Sequence, residues 1–460
     1  MKNTSGLKNY FRNLLLPLLL AACSGQQQKP NIILIVTDDQ GYANLSAYDH
    51  VSSNCSTPNM DRVAHEKKGK KDFPATVDSV LARSVGQYKL LCNNLEPGQW
   101  PRTWENNRLY TVDVYGWISG FYPGTLLYLY EFSSDSLLWG EIESRLKAME
   151  KLQTFTEHHD VGFMMYCSFG NALRLTGNSH YKDILVQSAK SLASRFDPRV
   201  GSIKSWNRVK SLDGARMLEF PVIIDNLMNL ELLFFASRVT GNPYFKNIAV
   251  KHAQTTLKNH IRPDFSSYHV VGYDPETGKV KSRETYQGFA DNSTWSRGQA
   301  WGIYGFTMTY RETGDSVFLE AAQKMADFFL DHPNLPEDKI PYWDFNVGQP
   351  GFDPPWNYDP EKYLEIPRDA SAAAIVASAL LELADFADAK TGKKYLKAAE
   401  DMLKSLSSSQ YLAEEGTNGG FILKHASGGV TGNVEVDVPL SYADYYFVEA
   451  LMRYRERTSR

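Results

Sequence analysis

The segment Phe220-Pro221-Val222-Ile223-Ile224-Asp225-Asn226-Leu227-Met228-Asn229-Leu230 places an acid directly after an apolar run and opens a long amphipathic stretch. Aspartate is a favoured N-cap residue, so Asp225 is consistent with the start of a helix. A carboxylate beside apolar side chains also loses hydration, which costs free energy unless the group is paired or used in chemistry. Both interpretations stand at this point, and the other helix starts of the chain bear on the choice.

A helix–turn–helix pattern recurs along the chain. At four places a periodic segment ends in a short turn, and an aromatic residue and a second amphipathic helix follow. The turns are Thr176-Gly177-Asn178, Thr240-Gly241-Asn242, Thr313-Gly314-Asp315 and Thr391-Gly392-Lys393. Glycine just after the last helical residue is a usual stop signal. Recurrence at roughly 65 to 80 residues therefore predicts a stack of helical hairpins.

The repeats predict an all-α fold for residues 72–460, an (α/α)6 barrel of six helical hairpins. A fifth hairpin joins residues 122–132 to residues 136–155, and the sixth pairs residues 76–94 with residues 441–457. Twelve helices in antiparallel pairs close naturally into six inner and six outer helices. No βαβ alternation is present in the pattern, which disfavours a Rossmann or (β/α)8 fold.

The inner helices of such a barrel run in the same direction, so their N-termini meet at one end. Acids, tryptophans, an arginine and glycines are concentrated at six inner-helix starts, which are residues 117–124, 158–163, 224–226, 291–301, 368–369 and 435–441. The outer helices begin with plain amphipathic sequence. This contrast predicts a site at one mouth of the barrel, with Asp160 and Asp225 as its carboxylates.

Two carboxylates in an aromatic, neutral pocket are suited to general acid/base chemistry on sugars, in which one is protonated and the other ionised. Helix N-termini favour the ionised form of both acids. Raising one pKa therefore requires burial or the nearby second carboxylate. Asp225 follows an apolar run and has the drier surroundings, so it is the predicted proton donor, with Asp160 as the ionised partner.

The bulk composition is that of a globular protein of one large or two medium domains. The 460 residues are 43% hydrophobic and carry a formal net charge of −4, which gives no electrostatic footprint for nucleic acid. Aromatic residues make up 13% of the chain, which suits carbohydrate stacking but equally a large helical core. No His/Cys/carboxylate cluster has ligand spacing, so neither a metal nor another cofactor is predicted.

Four motifs resemble glycoside hydrolase family 88, the unsaturated glucuronyl hydrolases. They are Asp160-Val161-Gly162-Phe163, Ile223-Ile224-Asp225, Ser293-Thr294-Trp295-Ser296-Arg297-Gly298-Gln299-Ala300-Trp301 and Asp437-Val438-Pro439. The resemblance runs from about residue 75 to the C-terminus. It implies an (α/α)6 barrel that hydrolyses Δ4,5-unsaturated glucuronyl residues from the non-reducing end of lyase-generated oligosaccharides, of glycosaminoglycan type.

The resemblance also implies residue roles. Asp225 would protonate C4 of the enol ether and, as a carboxylate, assist water addition at C5, while Asp160 would stabilise developing positive charge. Substrate-contact roles are implied for Trp117, Trp206, His269, Gln287, Trp295, Arg297 and Trp301. Arg297 is the expected partner of the uronate carboxylate.

Each contact residue also has a purely structural interpretation. His269 is equally a loop histidine bonded to backbone, Trp301 a core residue, and Arg297 a surface partner of Asp291. At the level of function, the alternatives are a hydrolase of unsaturated rhamnogalacturonan or other polyuronide fragments, and a non-catalytic carbohydrate-binding protein.

Residues 1–23 have the form of an export signal. Lys2, Lys8 and Arg12 precede a short apolar run, and Leu20-Ala21-Ala22-Cys23 resembles a bacterial lipoprotein box. The resemblance implies a lipid anchor on Cys23 and a periplasmic or outer-membrane-anchored protein. Ordinary signal peptidase cleavage near Ala22 is the alternative, and either predicts export.

Residues 24–71 are interpreted as a tether and a sulfatase-like fragment. An apolar strand pattern at residues 31–36 ends in Asp38-Asp39, and residues 30–64 resemble the start of the type I sulfatases. That family needs a Cys or Ser nucleophile in a C/S-x-P/A-x-R motif, and Cys55 is followed by Ser-Thr-Pro-Asn. The fragment is therefore predicted to lack sulfatase activity.

Overall fold

The computed structural model describes residues 73–459, and the predicted signal peptide, tether and sulfatase-like fragment lie outside these residues. In chain order the helices are α1 (Phe73–Asn93), α2 (Phe121–Ser133), α3 (Ser136–Met149), α4 (Val161–Met165), α5 (Asn171–Thr176), α6 (Ser179–Ala193), α7 (Leu230–Thr240), α8 (Pro243–His260), α9 (Ser296–Thr313), α10 (Ser316–Asp331), α11 (Ala370–Leu383), α12 (Ala389–Leu406) and α13 (Ser441–Thr458). A π-helical turn, Tyr166–Gly170, joins α4 to α5 in one continuous segment.

The helices form two concentric layers. Helices α2, α4/α5, α7, α9, α11 and α13 form the inner layer, and α1, α3, α6, α8, α10 and α12 the outer layer. The inner helices α9 and α11 are buried over nearly their whole circumference, whereas α10 and α12 bury one face. Helix α13 packs against α11, α2 and α1, which closes the ring. The predicted (α/α)6 barrel is confirmed.

Three of the four predicted turns have the expected conformation. Gly177, Gly241 and Gly314 lie in the left-handed region, at φ of +66°, +69° and +70°. The residue after each glycine caps the next helix, because its side chain accepts a hydrogen bond from a backbone N–H two positions on. The motif therefore ends an inner helix and starts an outer helix within two residues.

The fourth predicted turn, Thr391-Gly392-Lys393, is wrong. Gly392 lies inside α12, and the chain turns earlier, at residues 384–388. The Asp388 side chain caps α12 by accepting from the backbone N–H groups of Lys390 and Thr391. A Cβ on Gly392 would lie 2.8 Å from the Ala384 carbonyl oxygen, so glycine is required there for close packing.

Short antiparallel strands lie in the connections that lead into the inner helices. They are β1 (Trp100–Glu105), β2 (Arg108–Val112), β3 (Phe196–Asp197), β4 (Ser202–Ile203), β5 (Val209–Lys210), β6 (Met217–Leu218), β7 (Phe220–Ile223), β8 (Val270–Tyr273) and β9 (Val280–Glu284). The largest sheet has the order β7-β8-β9. Strand β7 is the apolar run before Asp225, and it pairs with β8. The 3₁₀ helix Ile224–Asn229 follows it, so α7 begins only at Leu230.

In the part of the chain from residue 73 to residue 459, no helix combines the length and apolar character needed to cross a membrane.

Gly162 brings the elements of the two catalytic candidates together. A Cβ at this position would lie 2.5 Å from the Cα of Asn229, which is in the 3₁₀ helix that carries Asp225. The Asn229 side chain accepts a hydrogen bond from the Phe163 backbone N–H, at 2.9 Å. Absence of a side chain at residue 162 therefore sets the spacing between α4 and this 3₁₀ helix.

We expect Gly162→Ala to lower the free energy of unfolding by about 1–3 kcal/mol, because the added methyl group overpacks against backbone atoms. Gly140→Ala is the matched control. Gly140 lies in α3, a Cβ there meets nothing within 4 Å, and alanine is the better helix former. Urea unfolding of both variants measures the difference, and equal stability of the two would contradict the packing constraint at Gly162.

Candidate active site

The N-terminal ends of the inner helices surround a cavity of about 410 Å³. Its lining consists of Trp117, His159, Asp160, Trp206, Ile223, Asp225, Gln287 and Arg297. Six of the nine residues predicted from the sequence are in this lining. The other three, His269, Trp295 and Trp301, are buried. All nine thus belong to the helix starts and the connections at one end of the barrel.

Asp225 is a buried carboxyl group held in an acid form near neutral pH. It is the second residue of the 3₁₀ helix and its side chain caps nothing, so the N-cap interpretation is wrong. Burial raises its pKa to about 7; the Arg297 charge opposes this shift, and the Asp160 carboxylate adds to it. Within residues 73–459, Oδ2 of Asp225 has no hydrogen-bond partner. The carboxyl group is therefore available to a ligand as a proton donor.

Asp160 differs from Asp225 because two histidines flank it. It is the N-cap residue of α4, although its side chain makes no capping hydrogen bond. Its Oδ2 lies 3.0 Å from Nδ1 of His158, and its Oδ1 lies 3.4 Å from Nε2 of His159. Burial acts to raise the pKa of Asp160, but His159 and His158 outweigh it and hold the pKa below its ordinary value. Asp160 is the ionised partner in this pair.

His269 presents a neutral imidazole to Asp225. Its Nδ1 accepts hydrogen bonds from the backbone N–H groups of Tyr286 and Gln287, at 3.0 and 3.1 Å, so the proton resides on Nε2. Burial holds the pKa of His269 well below its ordinary value. Nε2 lies 3.9 Å from Oδ2 of Asp225. His269 is bonded to backbone, as the structural interpretation expected, and also faces the carboxyl group.

Arg297 is paired with Asp369 and not with Asp291. Its Nη1 donates to Oδ2 of Asp369 at 2.6 Å and to the Ser427 carbonyl, and its Nη2 donates to the Gly428 carbonyl at 2.7 Å. The structural alternative, a surface pair with Asp291, is therefore wrong. Two of its five N–H groups remain for a ligand.

The three predicted tryptophans near Arg297 have different surroundings. Trp295 contacts both the His269 ring and the Arg297 guanidinium, each 4.5 Å from its ring centre. Trp117 lies in the cavity lining and packs edge-on against Phe121. Trp301 is fully buried, so the core interpretation describes its ring, and its indole acts to lower the pKa of Asp225.

Three contributors to the site were not predicted as site residues. His159 lines the cavity beside Asp160, Asp369 neutralises Arg297, and the loop of residues 424–438 supplies the Ser427 and Gly428 carbonyls. The signal for His159 is its place next to Asp160 at a helix start. The loop carries no residue pattern that points to Arg297, because it acts through backbone atoms.

A larger cavity of about 1000 Å³ is lined by later parts of the inner helices. It includes charged side chains, but these are paired: Arg453 lies 2.6 Å from Glu449, and Arg174 lies 2.7 Å from Glu131. None of the nine predicted site residues lines it. We therefore assign the chemistry to the smaller cavity, which contains the carboxyl group of Asp225.

Among the described residues, no group of three or more His, Cys, Asp or Glu side chains is arranged to hold a metal ion.

Comparison with known proteins agrees with this site. No protein-family model matches the chain. An unsaturated glucuronyl hydrolase from Formosa agariphila is 46% identical over 338 residues, which cover 73% of this chain and 79% of that protein. The crystal structure of an unsaturated glucuronyl hydrolase specific for heparin is 44% identical, with a TM-score of 0.76 over 84% of this chain and 98% of that chain. The enzyme from Bacillus sp. GL1 is 30% identical, with a TM-score of 0.73 over 82% and 96%.

An (α/α)6 barrel with one neutral and one ionised carboxyl group in an aromatic cavity defines the protein as a glycoside hydrolase. At this identity and coverage, the relatives define its family as well. The chain belongs to the unsaturated glucuronyl hydrolases, glycoside hydrolase family 88.

The raised pKa of Asp225 predicts a pH-dependent term in stability. Its folded pKa of about 7 exceeds the ordinary value of 3.8, so the stabilisation is present at low pH and is lost as pH rises from about 4 to 7. Asp225→Asn removes this titration. Between about pH 5 and pH 8 we expect the free energy of unfolding of the native chain to fall, relative to the variant, by on the order of 2–4 kcal/mol.

Denaturant unfolding at both pH values measures this difference. The buried Asp444, whose pKa burial also raises to about 7, is common to both proteins and cancels. Parallel stability profiles for the two proteins would contradict the assignment of a neutral Asp225.

Proposed function

We propose that the chain removes a Δ4,5-unsaturated glucuronyl residue from the non-reducing end of lyase-generated oligosaccharides of glycosaminoglycan type. The observation that carries the proposal is the buried Asp225 with a pKa of about 7, beside the ionised Asp160. An acid with this pKa is matched to proton transfer at neutral pH. The names of the relatives, unsaturated glucuronyl and chondroitin disaccharide hydrolases, support this substrate class.

The chemistry begins with protonation of the enol ether. Asp225 donates its proton to C4, and the π electrons of the C4=C5 double bond form the new C4–H bond. The C4–C5 single bond remains, and positive charge is shared by C5 and the ring oxygen. The Asp160 carboxylate stabilises this charge. The Asp225 carboxylate then takes a proton from water as the water oxygen bonds to C5. Asp225 has then regained its proton. In the resulting hemiketal the bond between C5 and the ring oxygen breaks and C5 becomes a ketone. The hemiacetal left at C1 then opens to an aldehyde as the C1–O glycosidic bond breaks, and the proton of the hemiketal hydroxyl balances the remaining sugar chain as it leaves as an alcohol.

The substrate carboxylate needs a cation or several N–H donors. Arg297 retains two N–H groups and is buried, so its charge is little screened by water. Nε2 of His269 has no hydrogen-bond partner in the described chain, and a buried donor of this kind gains from an anionic ligand. We assign the uronate carboxylate to Arg297, as the sequence predicted, and propose His269 as a neutral second donor.

The sugar ring is held by the aromatic and amide side chains of the lining. Trp117 and Trp206 line the cavity and offer apolar surface to the faces of a pyranose ring. Trp295 contacts His269 and Arg297, and the Trp301 indole acts to lower the pKa of Asp225. The Nε2 of Gln287 donates to the Gly428 carbonyl, which leaves its Oε1 as an acceptor for a sugar hydroxyl.

We expect Asp225→Asn to lower kcat about 10²- to 10⁴-fold, because the amide has no proton to donate. The measurement is loss of the ultraviolet absorbance of the enol ether, with unsaturated disaccharides from lyase-digested glycosaminoglycan as substrates. Asp183→Asn, an exposed substitution on α6, is the matched control and should keep full activity. Full activity in Asp225→Asn would overturn the mechanism.

The same assay separates the alternative functions. A hydrolase of unsaturated rhamnogalacturonan or other polyuronide fragments would act on those substrates and leave the glycosaminoglycan disaccharides intact. A non-catalytic carbohydrate-binding protein would bind the oligosaccharides without loss of absorbance. The acid pair with divided pKa values favours a catalyst over a binding protein.

We further propose that the protein is exported and anchored through a lipid on Cys23, in the periplasm or on the outer membrane. The proposal is supported by the charged start, the short apolar run and the Leu20–Cys23 motif. The sulfatase-like residues 30–64 are proposed to have no catalytic role, since they lack the nucleophile motif.

Cys23→Ser tests the anchor. We expect the native chain, expressed in a bacterium, to fractionate with membranes and to incorporate radiolabelled palmitate. The variant should lose the label because serine has no thiol to modify. A native chain that is exported but unlabelled would favour ordinary signal peptidase cleavage near Ala22.

A further inference from the structure

Tyr286 is an exposed aromatic residue at the edge of the catalytic cavity. The residue is 37% exposed, and its ring centre lies 5.4 Å from that of Trp206. Trp206 and the next residue in the chain, Gln287, both line the cavity. Tyr286 therefore extends the aromatic wall of the cavity outward to solvent.

We infer that Tyr286 forms a separate carbohydrate subsite, which binds the third sugar from the non-reducing end of an oligosaccharide. The inference rests on the proposed function and adds a preference for chain length. A single exposed aromatic residue needs no explanation in general. Tyr286 differs from other exposed tyrosines because it lies at the edge of the catalytic cavity and because hydrogen bonds fix its backbone.

The backbone of Tyr286 is fixed on both sides. Its N–H donates to Nδ1 of His269 at 3.0 Å, and its carbonyl accepts from Oγ1 of Thr431 at 2.9 Å. The first bond joins it to the histidine that faces Asp225, and the second joins it to the loop of residues 424–438. These bonds fix the backbone, and the contact with Trp206 restricts the ring. A ligand that stacks on a restricted ring loses less free energy to ordering than one that binds a freely mobile side chain.

The position of the acids places further sugars at the mouth of the cavity. The unsaturated residue must lie against Asp225 and Asp160 inside the cavity, and Trp206 belongs both to this lining and to the contact with the Tyr286 ring. The reaction takes place at the non-reducing end, so the remaining sugars of the bound oligosaccharide must extend through the opening. The exposed ring of Tyr286, next to Trp206, is aromatic surface at this opening that is available to a pyranose face.

Other exposed tyrosines do not share these features. The Nζ of Lys151 lies over the Tyr115 ring, 5.0 Å from the ring centre, so a cation already occupies one face. Tyr244 is 53% exposed and lies at the start of α8, beside the Gly241 turn that joins the other ends of the helices. Tyr244 is therefore a suitable control for loss of an exposed tyrosine.

The test compares an unsaturated disaccharide with an unsaturated tetrasaccharide of the same polysaccharide. We expect Tyr286→Ala to raise KM for the tetrasaccharide about three- to tenfold, with kcat unchanged and the disaccharide KM within about twofold. Tyr286→Trp should preserve the tetrasaccharide KM because it keeps an aromatic face. Tyr244→Ala should alter neither substrate.

Calorimetric binding to Asp225→Asn, with and without Tyr286→Ala, separates this inference from the proposed activity. If Tyr286→Ala weakens tetrasaccharide binding three- to tenfold, the result supports the subsite. It does so even if the native chain hydrolyses neither substrate, because that second result would contradict only the proposed function. Equal weakening of both oligosaccharides would mean that Tyr286 merely supports Trp206, and an unchanged tetrasaccharide Kd would mean that it binds no sugar. Either result overturns the inference.

Discussion

The buried ion pair between Arg297 and Asp369 sets the electrostatic state of the cavity. An unpaired guanidinium near Asp225 would favour the ionised carboxylate and lower its pKa. Asp369 at 2.6 Å and the carbonyls of Ser427 and Gly428 take up most of the hydrogen bonding of Arg297, so burial prevails and the pKa of Asp225 is about 7. The same contacts join α9, the start of α11 and the loop of residues 424–438. The pair therefore both limits the effect of Arg297 on Asp225 and joins the elements around the cavity.

The two carboxyl groups have different states because their neighbours differ. Asp160 has histidine nitrogens at 3.0 and 3.4 Å, whereas the nearest histidine nitrogen to Asp225 is at 3.9 Å. The histidines are themselves oriented by their other nitrogen, as with His269, whose Nδ1 accepts two backbone N–H groups. The different protonation states of the two acids therefore follow from the histidines beside Asp160, since the two acids are equally exposed and the two helix starts are alike in lacking a side-chain cap.

Sequence reasoning succeeded where a local signal and the tertiary fold agree. The Thr-Gly-Asn and Thr-Gly-Asp turns were predicted because only glycine readily adopts the left-handed conformation that ends a helix. It failed at Gly392. This glycine follows a threonine, as the turn glycines do, but it allows close packing inside α12. It also missed strand β7, because an apolar run that leads into an amphipathic stretch looks like a helix start until its pairing partner β8 is known.

By itself, the sequence determined the helical repeat and the gathering of acids and tryptophans at one end of the barrel. These follow from periodicity and turn residues, which are local properties. The prediction that Asp225 is the drier acid is wrong, because Asp160 and Asp225 are equally exposed, at 8% each, and only the histidines beside Asp160 distinguish them. Only the tertiary structure decided that Arg297 pairs with Asp369 rather than Asp291, and that backbone carbonyls of residues 427 and 428 complete its coordination. Those partners lie 72 and more residues away from Arg297, and a buried charge takes whichever partner the fold brings within reach.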